Sequence, residues 1–310
     1  MRIVFFGSDD FALTNLEALI SSGEALVACV TPPDKPKGRG LKVLPSVVKQ
    51  CALKNKIPVL QPDNLQDDIF LHKLKSFSGD LSVVIAYGKI LPAEVLSVPK
   101  IFSINVHGSF LPQYRGAAPI NRAIINGDKK TGISVIKMNQ VMDGGEIILQ
   151  EEMLISDEDN SLTLRARMAQ EGARLLMRAM DSIRDRSYTL TPQDPTKVSY
   201  APKLTKELGL IQWRDSAVSI NNLIRGLLPW PCAYTHFQGK ALRILEAEVV
   251  RDGPGGGKSG EVLSLKKNGF VVAAAEKALL VKKVHLESAK QMGAAAFALG
   301  HKLSVGYRLG

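Results

Sequence analysis

Two short stretches of this 310-residue sequence hold side chains able to move a proton and to meet a developing negative charge. The first is SINVHGSFLPQYRGAAP, residues 103–119, where Asn105 and His107 stand two apart at the end of an apolar run. Strand alternation puts their side chains on one face. Gly108 then allows a sharp exit and a close backbone approach, and Arg115-Gly116 follows in a loop. The second stretch is MNQVMDGGEI, residues 138–147, where Asp143 precedes a glycine pair. Asp before Gly-Gly is usually a turn, and a lone His at a strand end is more often a satisfied polar residue than a catalyst. Asn and His together at the end of a buried strand shift that balance, because burying amide and imidazole costs free energy unless both have partners. As the partner of His107, Asp143 would be the carboxylate that orients and charges the imidazole.

Residues 1–185 supply a frame for such a site by alternating short apolar runs with helical patterns. Strands are expected at 3–6, 25–30, 81–86, 101–106 and 132–138, and helices at 11–22, 45–55, 64–77 and 119–126. Residues 146–155, with Glu151 and Glu152, read as a peripheral strand. The helix 161–184 has Leu164, Met168, Leu175, Leu176 and Ala179 as its inward candidates. Unbroken apolar strands between helices predict an α/β fold, a Rossmann-like, mostly parallel sheet covered on both faces. Ligands in such sheets bind beyond the carboxyl ends of the strands, which is where both motifs fall.

Residues 186–204 carry Pro192, Pro195 and Pro202 among polar residues and read as a linker. Beyond it the texture changes to a short helix, 217–226, and strands at 243–250, 261–265, 270–274 and 279–284. Regularly spaced short strands predict a smaller C-terminal β-barrel of OB-like type over 205–310. That region holds 15 lysines and arginines against 8 acidic residues, most of the net charge of +10. A basic barrel appended to an α/β domain favours contact with nucleic-acid phosphates.

Composition narrows the classes. With 45% hydrophobic and 23% charged residues, the chain is expected to fold without staples. Cys29, Cys51 and Cys232 form no CxxC pair, which argues against a disulfide framework or a zinc ribbon. The opening MRIVFF is too short for a signal sequence, and no apolar stretch nears the roughly 20 residues of a membrane span. A cytoplasmic protein without a membrane partner is the expectation. GPGGGKSG at 253–260 imitates a phosphate loop, but Asp252 stands where a Walker motif needs Gly.

Several separate blocks complete the reading: GSDDFA at 7–12, PDKPKGRGLKVLP at 33–45, AYGKILP at 86–92, NVHGSFLPQYRGAAPI at 105–120, Asp143-Gly144-Gly145, and Pro229-Trp230-Pro231 with Ala233. Over nearly its full length the chain resembles the methionyl-tRNA formyltransferase family. The resemblance implies 10-formyltetrahydrofolate as co-substrate, methionyl initiator tRNA as acceptor, no metal, and a monomer. By the same resemblance Asn105 donates to the oxyanion, His107 moves the proton from the attacking amine towards the leaving nitrogen, and Asp143 supports His107. Ser109, Leu111 and Pro112 would border the folate pocket, with Tyr87, Gly88, Ile90, Leu91 and Pro92 as another wall. The loop with Lys35, Lys37, Arg39 and Lys42 would enter the tRNA acceptor stem, Arg39 gripping phosphate or a base edge. Residues 1–185 would be the catalytic domain, 186–204 the linker and 205–310 the tRNA-binding domain. The Asn–His–Asp set is shared by all 10-formyltetrahydrofolate transferases and hydrolases, so a small amine acceptor is the alternative. One departure is Asp9, where the family more often has Pro.

Overall fold

The computed structural model describes residues 1–37, 42–250 and 257–310. Its first strand, β1 (Arg2–Gly7), is buried from Ile3 onward, as a run covered on both faces must be. There follow α1 (Asp10–Ser21), β2 (Ala25–Val30), the hairpin strands β3 (Lys35–Lys37) and β4 (Lys42–Leu44), α2 (Val47–Lys54), β5 (Val59–Leu60), α3 (Asp68–Ser76), β6 (Leu81–Ile85), α4 (Ala93–Leu96) and β7 (Phe102–His107). Next come β8 (Arg115–Gly116), α5 (Pro119–Asn126), β9 (Lys130–Lys137), β10 (Ile147–Leu154), α6 (Ser161–Arg184) and β11 (Tyr200–Ala201). Asp9, Ser46 and Asp67 start α1, α2 and α3 by accepting a backbone N–H three residues on, which offsets part of the unpaired first turn.

One sheet gathers the apolar runs in the order β10-β9-β7-β6-β1-β2-β5. The pairs from β7 to β5 are parallel, while β9 runs antiparallel to β7 and β10 antiparallel to β9. The mostly parallel α/β sheet is therefore present, with 146–155 at its edge. The chain moves outward from β1 through β2 to β5, then returns to β6 on the other side. The order thus reverses between β1 and β6, the usual place for a ligand crevice. Ser8 Oγ ties the two strand ends by donating to Ala86 O at 2.7 Å. In α6, Leu164, Met168, Leu175, Leu176 and Ala179 are all buried. Gly172 lets this helix lie close to the sheet, since a Cβ there would meet Val106 Cγ1 at 3.2 Å.

The chain forms two compact units. The first comprises Met1–Pro119, Lys130–Leu154 and Arg165–Ala201; the second comprises Ile120–Lys129, Ile155–Leu164 and Pro202–Gly310. Much of the segment 186–204 is tied into the first unit. Thr191 and Ile147 exchange backbone hydrogen bonds at 2.9 and 2.8 Å, and β11 pairs in parallel with β8. Its proline-rich composition reports a lack of periodic apolar residues, which is a separate matter from a lack of partners.

The second unit contains α7 (Ala217–Gly226), β12 (Ala233–Phe237), β13 (Lys240–Val250), β14 (Val262–Lys266), β15 (Gly269–Ala273), β16 (Ala278–Leu286), β17 (Met292–Gly293) and α8 (Ala294–Gly300). Its antiparallel sheet runs β12-β13-β16-β15-β14, with β17 against β16. Gln238 and Gly239, at φ 51° and 75°, make the two-residue turn between β12 and β13, a geometry that matches the twist of paired strands. Trp213, Ile224, Phe237, Phe270 and Phe297 fill its core. Among the described residues no pairing joins β12 to β14, no helix is long and apolar enough to cross a membrane, and no group of His, Cys, Asp or Glu could hold a metal ion.

Candidate active site

Asn105 and His107 occupy the carboxyl end of β7, with Asn105 in register with Val84 of β6 and Ile136 of β9. His107 is 6% exposed. Its Nε2 donates to the Tyr114 carbonyl at 2.9 Å, and its Nδ1 lies 3.7 Å from Asp143 Oδ2. The second distance is within ion-pair range but too long for a hydrogen bond. The same Asp143 oxygen accepts the Gly116 N–H at 2.7 Å. Asn105 shares the His107 face of the strand by alternation, and its Oδ1 is buried with no hydrogen-bond partner among the described residues. An amide kept short of partners in a buried site is poised for a ligand that is itself polar.

Two loops create this arrangement. Residues 108–116 fold back over the end of β7 and deliver the Tyr114 carbonyl and the Gly116 amide. Ser134 on β9 pins that loop: its hydroxyl donates to Ser109 O at 2.7 Å and accepts from Leu111 N at 3.0 Å. Gln150 on β10 adds a bond from Nε2 to Leu111 O at 2.8 Å. The second loop carries Asp143 at φ 50°, a left-handed conformation that Asp tolerates better than most residues. Gly145 must lack a side chain, because a Cβ would fall 1.8 Å from Lys137 O.

The expected folate residues divide between surface and interior. Ile90 and Pro92 line an open groove with Asp63, Asn64, Leu65, Gln66 and Lys89. Tyr87 and Leu91 belong to the core cluster that includes Leu65. Tyr87 meets Phe6 edge-on at 5.5 Å, and its hydroxyl is buried with no partner among the described residues. Burial pushes its pKa up to about 12, so the phenol keeps its proton at physiological pH. Gly88 takes φ 82° at the turn out of Tyr87. Ser109 and Leu111 point into the protein, where Ser109 Oγ donates to Gln113 O at 2.5 Å, and Pro112 O receives Ser199 N–H at 3.3 Å.

Lys35 is exposed at the start of the β3–β4 hairpin, in which Lys37 and Lys42 are a register pair. Arg39 lies outside the described residues. The root of the hairpin is fixed at Asp34, whose carboxylate meets Lys49 Nζ at 2.5 Å and Gln61 Nε2 at 2.9 Å. Asp9 caps α1 and forms an ion pair with Arg165, whose guanidinium lies 5.3 Å from the centre of the Phe11 ring. The two polar roles of Asp9 give the departure from Pro a local rationale.

Sequence reasoning passed over Gln193 and Ser199. Gln193 bonds to Arg115 and to the Asp143 loop, and Ser199 Oγ accepts the Tyr114 N–H at 2.9 Å. Both sit in the segment read as linker, where no periodicity marks a residue as inward.

Comparison with known proteins places the chain first in a class. A family described as "Formyl transferase" matches residues 1–180, and one described as "Formyl transferase, C-terminal domain" matches residues 203–302. The N-formyltransferase from Helicobacter canadensis, solved in complex with folinic acid and dTDP-3-aminofucose, shares the fold at a TM-score of 0.68 and 17% identity, over 92% of this chain and all of that one. HypX from Aquifex aeolicus matches at 0.69 and 16%, over 98% of this chain, which spans about half of HypX (48%). Within the class the similarity is much higher. A methionyl-tRNA formyltransferase of Syntrophus aciditrophicus is 44% identical, covering 100% of this chain and 99% of that protein. One of Thermodesulfovibrio yellowstonii is 42% identical over 98% and 97%. The chain belongs to the methionyl-tRNA formyltransferase family.

Proposed function

We propose that this protein transfers the formyl group of 10-formyltetrahydrofolate to the amino group of methionyl initiator tRNA. The observation that carries the reading is the junction at the end of β7, where Asn105, His107 and Asp143 converge on one strand end. The unpartnered Asn105 Oδ1 and Tyr87 hydroxyl fit a polar, heterocyclic co-substrate that offers both donors and acceptors. When bound, 10-formyltetrahydrofolate supplies the activated formyl carbon.

The chain's own groups then have separate tasks. The Asn105 amide donates to the formyl oxygen as negative charge develops there, a preorganised contact that costs no reorganisation during reaction. With Nε2–H committed to the Tyr114 carbonyl, His107 takes the proton of the attacking amine at Nδ1, where Asp143 faces the resulting imidazolium, and returns it from there to the leaving nitrogen. Asp143 holds the imidazole from the Nδ1 side while Tyr114 O holds it at Nε2. Ile90 and Pro92 offer apolar groove surface to the folate, with Gly88 letting the backbone turn beside it. Tyr87 and Leu91 support that wall from beneath, and Ser109, Leu111 and Pro112 shape the facing loop.

Lys35, Lys37, Arg39 and Lys42 form the basic loop that engages the tRNA acceptor stem. Residues 205–310, as an OB-like barrel module, supply a positive surface for the tRNA backbone. Residues 1–185 carry catalysis and 186–204 join the two. We further read the protein as a cytoplasmic monomer.

The test compares formyl transfer to methionine on charged initiator tRNA, on charged elongator tRNA and as the free amino acid. Activity confined to charged initiator tRNA is the expected result. Folate binding with no transfer to any of the three would overturn the acceptor and redirect the search to small amines.

A further inference from the structure

We infer that Gln193 is a positioning residue for His107, clamping together the two loops that hold the imidazole; this rests on the acid–base role given to His107 above. The Gln193 carboxamide uses its whole hydrogen-bonding capacity at one place. Its Oε1 accepts from Arg115 Nε at 3.0 Å and from Arg115 Nη2 at 2.7 Å. Its Nε2 donates to Asp143 O at 2.8 Å and to Gly145 O at 2.7 Å. Two acceptor sites and two donors are all that an amide possesses, so its orientation is dictated by its neighbours.

The connections lead straight to His107. Arg115 stands between Tyr114, whose carbonyl takes Nε2–H, and Gly116, whose amide holds Asp143 Oδ2. Asp143 and Gly145 stand on either side of Gly144, against which the Arg115 guanidinium lies: a Cβ on Gly144 would come 3.3 Å from Arg115 Nη1. Gln193 therefore joins the loop bearing the His107 acceptor, Tyr114 O, to the loop bearing the carboxylate that faces Nδ1. The Asp143 loop needs such a tie. Its aspartate is at φ 50°, and a residue held in a sparsely populated region persists only when its surroundings over-determine it. A clamp that also reaches the backbone carbonyls fixes the 3.7 Å spacing between Nδ1 and the carboxylate.

The test uses Gln193→Glu and Gln193→Ala in the full-length chain. Gln193→Glu keeps both acceptor contacts to Arg115 but has no hydrogen for Asp143 O or Gly145 O. For both variants, kcat for formylation of methionyl initiator tRNA is expected to fall roughly 10- to 100-fold, the cost of misplacing a catalytic group by about 1 Å, with KM for the tRNA within about threefold. In ¹⁵N-histidine-labelled protein, the His107 Nε2–H resonance, sheltered by Tyr114 O, is expected to shift or broaden in both. An unchanged His107 resonance overturns the inference, whatever the activity does, and so does a kcat within about twofold of wild type. If Gln193→Ala does not fold, the near-isosteric Gln193→Glu decides. Should wild type itself form no formylmethionyl-tRNA, the functional reading fails, while the resonance comparison still decides the clamp.

Discussion

Asp143 Oδ2 faces two groups at once: the Gly116 amide at 2.7 Å and His107 Nδ1 at 3.7 Å. The backbone donor thus fixes the carboxylate, which faces the ring at ion-pair range, while the Tyr114 carbonyl holds the ring by a hydrogen bond at Nε2. His107→Ala removes the acid–base group and is expected to lower kcat by about 10²–10⁴ while leaving tRNA affinity largely intact. Steady-state kinetics alongside a tRNA binding titration would check this, and a near-normal kcat would take His107 out of the mechanism.

Gly145 offers a purely steric test. With 1.8 Å between its would-be Cβ and Lys137 O, Gly145→Ala must displace the Asp143 loop or the end of β9. A loss of about 1–3 kcal/mol in chemical denaturation is expected, the usual cost of overpacking, together with a kcat well below wild type. Wild-type stability and rate in this variant would mean that the loop is free to move.

Arg39→Ala is expected to weaken productive use of the tRNA and to spare folate binding if, as proposed, the basic loop with Lys35, Lys37 and Lys42 contacts the acceptor stem. In wild type the logarithm of tRNA affinity is expected to fall linearly with the logarithm of salt concentration, and the slope should be shallower in the variant by about one phosphate contact. A change confined to folate affinity would relocate the loop.

Asp80 gives a pH-dependent prediction remote from catalysis. The Arg2 backbone N–H at 2.8 Å and the Lys100 ammonium at 3.1 Å hold its carboxyl below the usual carboxylate range. A pKa lower in the folded than in the unfolded chain adds stability above the unfolded value, and that stability is lost as pH falls through the folded one. Asp80→Asn should therefore be less stable than wild type at pH 7, by about 1 kcal/mol after allowing for solvent screening. The gap should close as pH falls below about 4. A gap that stays constant with pH would show that the charge contributes nothing.

The sheet and its helices were legible because burial on both faces writes itself as unbroken apolar runs. Ala25–Val30, Ser161–Arg184 and Ala217–Gly226 begin and end where periodicity places them. The last is introduced by Ser216, which accepts from Ser219 N–H. Asn105 and His107 stood out because an amide and an imidazole are expensive to bury at a strand end, and Asp143 as the carboxylate able to orient that imidazole. What stayed hidden was the polar scaffold around them. Ser134 lies inside an apolar strand, Gln150 on an edge strand, and Gln193 between prolines. Each acts through one hydrogen-bonding geometry that depends on residues up to 78 positions away, as from Arg115 to Gln193. No local pattern records such a pairing. The groove beside Ile90 was half legible, since Asp63, Asn64 and Gln66 contribute from a separate turn.

The five crossings of the chain between its two units limit how the protein can be dismantled. A fragment starting at Pro202 would carry the whole antiparallel sheet but not residues 120–129 or 155–164. Arg225 would then lose the carbonyls of Ser156 and Asp159, Leu228 its donor Ser161, and the Gly226 carbonyl its bond from Asn121. Arg225 is partly buried, where burial already disfavours its charge, and losing those acceptors would leave a cation poorly compensated. The basic C-terminal region is thus no cassette to be grafted whole onto another catalytic unit. Gene fusions or truncations that respect its apparent boundary in the sequence would export an incomplete fold unless residues 120–129 and 155–164 travel with it.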